Sequence, residues 1–182
     1  MNSRVVIWTL VVIFMLCVIV FNMRSQFKSA ENLQKEQTIE DAFVKISSPA
    51  LEKKTLNEKN LKDSLKDEAE KISVYGVFVK KTEYSVFYIK YKRDFDLDEA
   101  ANTFISLFSS FDFKPEKTES ENKITLVGKF TRENRTFAAS AAFFKKGKNL
   151  WQAFTIFPYS KDNELAAQNF INSIEIDPLN KA

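Results

Sequence analysis

The sequence predicts an α+β domain. Its core would be a five-stranded antiparallel sheet in the order β-β-α-β-β-β-α with helices on one face, preceded by an N-terminal transmembrane helix and a helical stalk. Three observations carry this. Five runs after residue 71 are dense in β-branched and aromatic residues, two stretches between and after them repeat apolar residues at three/four spacing, and one uninterrupted apolar run opens the chain. Hairpin-length links between most of the strands imply antiparallel pairing. The expected division is 1–27 as a signal-anchor, 28–71 as a charged linker and 72–182 as the folded domain.

The opening run, Val5 to Phe21, reads VVIWTLVVIFMLCVIVF and carries no charge, Gly or Pro. Seventeen residues cross about 25 Å as a helix, the short end of a bilayer span. Trp8 sits near one interface, and Arg4 and Arg24 reach toward headgroups. A cleavable signal would need a small-x-small site, and Phe21–Lys28 offers none. Cys17 lies within the apolar run behind Leu16, where a lipoprotein signal wants a small residue. The expectation is an uncleaved single-pass anchor in the cell (inner) membrane, with the C-terminal domain on the extracytoplasmic, periplasmic side.

Residues 28–71 are rich in Lys, Glu, Asn and Leu, with Pro49 and no Gly. Ile39, Phe43 and Ile46 fall at helical spacing, as do Leu61, Leu65 and Ala69. The steps Leu51, Leu56 and Leu61 fit no heptad, so a helical spacer is expected rather than a coiled coil.

The strands are expected at Ile72–Lys81, Glu83–Tyr91, Lys123–Phe130, Thr136–Phe144 and Leu150–Phe157. Asp96 and Glu99 stand where a capping box needs them. Leu97, Ala100, Ala101, Phe104, Leu107, Phe108 and Phe111 then trace one apolar stripe over four turns. Arg132-Glu133-Asn134 and Lys145–Asn149 supply turns. Asp162 is expected to cap a last helix carrying Leu165, Ala166, Phe170, Ile171 and Ile174, closed by Pro178.

Lys123–Phe143 followed by Asn149–Ile176 resembles the C-terminal half of the PsbP-like superfamily, which includes the photosystem II extrinsic subunit and many bacterial extracytoplasmic proteins. The resemblance rests on Leu150, Trp151, Gln152, Pro158, Phe170 and Ser173 and covers about residues 72–177. It departs where members often carry Gly-x-x-Gly after the third strand; here Gly128 is followed by Thr131. The resemblance implies a PsbP-like α+β domain with an accessory or binding role, and it brings no catalytic set.

Composition narrows the chemistry. The chain has no His, and its one Cys is Cys17. That excludes Ser-His-Asp and Cys-His nucleophiles, Cys/His zinc sites and an internal disulfide. No metal or other cofactor is expected. Net charge is +3, divided as +3 over residues 1–28, −2 over 29–71 and +2 over 72–182. No segment concentrates the basic field that nucleic acid requires.

Two candidate surfaces remain. The second and fifth strands are aromatic on both faces, whereas a sheet covered on one side should alternate. Tyr84, Tyr88, Trp151 and Phe157 are the candidate interaction surface for a protein partner or apolar ligand, the alternative being that the stalk or a loop covers them. Lys80, Lys81, Lys90, Lys92 and Arg93 form a candidate basic cluster, with edge-strand protection as the competing role. Ala138, Ala139, Ala141 and Ala142 read as a groove or as a seat for close helix packing. Asp94, Asp96, Asp98 and Glu99 cluster, and helix capping accounts for them. The expected function is a membrane-anchored binding or accessory domain without evident catalytic chemistry. The alternatives are a carboxylate-based hydrolase and an immunity-type or envelope-stress protein.

Overall fold

A computed structural model of the chain describes residues 35–55 and 67–176. Ten strands run in chain order: β1 (Lys35–Ile39), β2 (Val44–Ser48), β3 (Glu52–Lys53), β4 (Ala69–Val79), β5 (Thr82–Tyr91), β6 (Glu116–Ser120), β7 (Lys123–Arg132), β8 (Arg135–Lys146), β9 (Asn149–Pro158) and β10 (Glu175–Ile176). Helix α1 spans Leu97–Ser106 and α2 spans Lys161–Asn172.

The main sheet has seven strands in the order β3-β4-β5-β9-β8-β7-β6, all antiparallel, and a second sheet has three, β1-β2-β10. This corrects the five-stranded expectation. The five expected strands are the centre of the larger sheet, and β3 and β6 extend its edges. β6 (EKTES) escaped the sequence reading because every residue is exposed, so no apolar alternation marks it. Cross-strand hydrogen bonding to β7 makes it a strand.

The helices lie on opposite faces, not one. Helix α1 buries Leu97, Ala100, Ala101 and Phe104 on the face carrying Phe87, Ile89, Leu126, Ala139, Ala141, Phe143 and Phe154. Phe104 meets Phe143 and Phe154 with ring centroids 5.9 and 5.6 Å apart. Helix α2 covers the other face: Phe170 meets Tyr84 edge-on at 5.2 Å, and Ala167 packs on Ala138 and Phe157. The alanines of β8 therefore seat a helix on each side.

Beside α2, on that same face, lies the three-stranded sheet. Residues 35–53 were expected as helical stalk, and they are strands joined by a one-turn 3-10 segment at Glu40–Ala42. The physical reason is legible in β2, where Val44, Ile46 and Ser48 turn inward and Lys45 faces solvent: period two, not 3.6. Ile39, Ala42, Val44 and Ile46 pack against Tyr75, Val86, Tyr88 and Trp151. The Trp151 Nε1–H donates to the Ala42 carbonyl at 2.6 Å, and Ser173 Oγ accepts from the Ser47 amide at 2.9 Å.

The expected spacing of Leu61 and Leu65 and the closing Pro178 lie outside the described residues, as does the expected transmembrane helix at 5–21. Among the described residues no helix is long and apolar enough to cross a membrane. That finding corrects the transmembrane and signal-anchor reading and the single-pass inner-membrane location built on it. Helices α1 and α2 have 10 and 12 residues, short of the ~20 a crossing needs, and each keeps a polar face.

Both helix starts are capped, one as expected. Asp96 accepts from the Asp98 amide at 2.9 Å, whereas α2 is capped by Ser160, which accepts from Asn163, and not by Asp162. Leu165, expected on the apolar stripe, is exposed. The stripe of α1 also breaks early: after Ser106 the chain tightens into a 3-10 turn at Ser109–Phe111. That turn directs Phe108, Phe111 and Phe113 onto Phe130.

Candidate functional site

The structure buries all four residues of the expected aromatic surface. Trp151 is 1% exposed and Tyr84, Tyr88 and Phe157 are buried with it, under β1, β2 and α2. The pattern that suggested an exposed apolar face is that of central strands: β5 and β9 are covered on both sides, by α1 and by the second layer. The expected basic cluster does not assemble either. Lys80 and Lys81 form the β4–β5 turn, and Lys90, Lys92 and Arg93 lie at the far end of β5, roughly 30 Å away at the rise of an extended strand. Lys90 is paired with Glu70 at 2.9 Å.

At that far end the sheet opens into a cleft of about 650 Å³, within the size range of small-molecule sites. Its floor and walls come from five places in the chain: Glu68 before β4, Tyr91 at the end of β5, the Arg93–Glu99 segment into α1, the β6–β7 hairpin with Glu119, Ser120, Glu121 and Ile124, and Lys145 at the end of β8. Antiparallel pairing explains the convergence. β5, β8 and β6 run one way and β9 and β7 the other, so the C-terminal ends of β5, β6 and β8 meet the start of β7 at one edge.

Seven carboxyl groups line the cleft against two cationic side chains, Arg93 and Lys145. Four of the seven are already engaged. Lys145 bonds Asp94 at 2.8 Å, donates to the Phe95 carbonyl and stands 4.8 Å over the Phe95 ring. The hydrogen bond from Lys145, and after it the ammonium charge, hold the Asp94 carboxyl below its ordinary range. Lys117 pairs with both Asp98 and Glu119, and Asp96 caps α1. Glu68, Glu99 and Glu121 have no ion pair among the described residues.

Helix capping therefore accounts for Asp96 but not for Glu99. In a closed capping box Glu99 would reach back to the Asp96 amide. Instead its Oε1 is buried with no hydrogen-bond partner. Burial, and after it the charges of Asp96 and Glu68, push its carboxyl up. Tyr91 is only 3% exposed, and its hydroxyl too has no partner. Burial, and next the neighbouring charges of Glu68 and Glu99, push that phenol up. Two buried polar atoms, Tyr91 Oη and Glu99 Oε1, thus stand without partners beside the unpaired Glu68 carboxylate, lining one cleft. A buried unpaired polar group costs about 1–3 kcal/mol, which a donor placed between them would recover.

No three Asp, Glu, His or Cys side chains among the described residues converge to hold a metal ion. The acids are spread along the cleft, a distribution that suits a ligand with separated positive charges. The sequence signal for this place was the Asp94–Glu99 cluster, whose acids were all assigned to capping. Glu68, Tyr91 and Glu121 were missed because they arrive from three other segments. No protein-family model matches the chain and no curated protein matches it, so the site stands on its own geometry.

Proposed function

We propose that this domain is a binding or accessory module whose ligand site is the acidic cleft at the C-terminal end of β5. The single observation that supports the reading is the pair of buried, unpartnered acceptors, Tyr91 Oη and Glu99 Oε1, beside Glu68. A cationic ligand donates to both while neutralising the carboxylates. The resemblance to the PsbP-like superfamily points the same way, since many members are accessory proteins. The aromatic sheet face does not serve this role, being occupied by the chain's own strands.

The test is a titration of the ¹⁵N-labelled full chain with n-butylammonium and guanidinium chlorides at fixed ionic strength. Amide shifts confined to residues 91–99 and 119–124, and lost in Glu99→Gln, are the expected result. Shifts scattered over the surface, or none, defeat the reading.

A carboxylate-based hydrolase is the second reading, favoured by the raised Glu99 carboxyl beside Asp96 and Glu68, the kind of acid–base pairing such enzymes use. Hydrolysis of a glycoside or ester panel by the parent and not by Glu99→Gln would establish it in place of the first.

A further inference from the structure

The acids left unpaired in the cleft stand in two places. Glu68 and Glu99 flank Tyr91 at the end of β5, and Glu121 lies in the β6–β7 turn. Between β5 and β7 the sheet interposes β9 and β8. Three strand spacings at ~4.8 Å separate the two places by about 14 Å. The wall between them carries apolar side chains, Phe95 and Ile124 among them. Negative poles at both ends, with Phe95 and Ile124 between them beside a Lys145 ammonium already neutralised by Asp94, complement a chain of methylenes ending in ammonium groups, and a compact cation would reach only one pole.

We propose that the cleft binds an extended aliphatic polyamine, one terminal ammonium donating to Tyr91 Oη and Glu99 and the other facing Glu121. This rests on the cation-binding reading above and names its ligand class. A point-like divalent ion fits less well, since no three carboxylates share one position. Guanidinium and aromatic cations lack the reach. The interior of the ligand loses water against Phe95 and Ile124, so affinity should rise with chain length until both poles are filled, beyond what added charge alone contributes.

Calorimetric titration of the full chain with spermine, 1,4-diaminobutane, magnesium chloride and trilysine, in 150 mM salt, tests this. Spermine is expected to bind at least tenfold more tightly than the diamine and magnesium. Glu99→Gln should weaken both amines about tenfold, whereas Glu121→Gln should weaken spermine alone. Tyr91→Phe, which keeps the ring's shape, should weaken both amines while the circular dichroism and melting temperature stay near the parent's.

Equal affinity for spermine and magnesium would mean simple charge attraction and overturn the polyamine assignment, leaving the cation-binding reading intact. Tighter binding of trilysine than of spermine would assign the cleft to a basic peptide and likewise overturn it. Failure of every cation to bind overturns both.

Discussion

Glu99 and Asp96 show how far a residue's role depends on one rotamer. Both sit at the start of α1 and both suit capping, yet only Asp96 bonds a first-turn amide. Its loss in Asp96→Ala should cost about 1 kcal/mol, read as a lower urea midpoint with an unchanged slope. Glu83 poses a different question. It is buried at the start of β5, accepts from Ser85 Oγ at 3.1 Å, and burial pushes its carboxyl from 4.5 up to about 7. The folded chain therefore keeps a proton that the unfolded chain releases between pH 4.5 and 7. Where the unfolded state binds fewer protons, stability falls as pH rises, here by up to about 3 kcal/mol once pH passes 7. Glu83→Gln should remove that slope, leaving the variant more stable than the parent at pH 8 and no more stable at pH 4. Parallel stability profiles for the two proteins would refute it. Nothing in the sequence separated Glu83 from the solvated acids around it, because its burial comes from strands distant in the chain.

Turns and helix seats belong to the scale of elements. The two-residue β4–β5 link holds Lys80 at φ 48° and Lys81 at φ 67°, the left-handed region that Asn and Gly tolerate far better. Lys80→Asn with Lys81→Gly should raise stability by about 1–2 kcal/mol, measured by thermal melting. Gly128 in β7 is needed for another reason. A Cβ there would meet Phe113 Cε2 at 2.7 Å and the Pro115 backbone at 2.8 Å. Gly128→Ala should cost about 1–3 kcal/mol through overpacking, with Phe113 displaced from the ring cluster. The hairpins β4–β5, β7–β8 and β8–β9 and both helices were legible from local pattern, since turn residues and apolar period are set within a few positions. The 3-10 ending of α1 was not. Phe108 and Phe111 continue the helical spacing, but they, with Phe113, are drawn off it by packing on Phe130.

At the scale of the whole molecule, the central layer is covered on both faces, and the N-terminal strands are half of one cover. Trp151 is the pin between layers, filling the space under Ala42 and donating to its carbonyl. Trp151→Ala should cost about 3–5 kcal/mol and open residues 35–48 to limited proteolysis, while the cleft's response to cations is retained. An unaltered digestion pattern would show that the second layer holds without it. What the sequence determined by itself was the set of strands with strong apolar pattern, the two helices, the tight turns and the absence of histidine and thiol chemistry from the later chain. Each of these depends on neighbours within a few residues or on composition. The tertiary structure alone decided which faces were covered, that a charged stretch joined as strands, and that Glu68, Tyr91, Glu99 and Glu121 share one cleft. Those outcomes depend on contacts between segments tens of residues apart, and local periodicity carries no record of which partner a buried face will find.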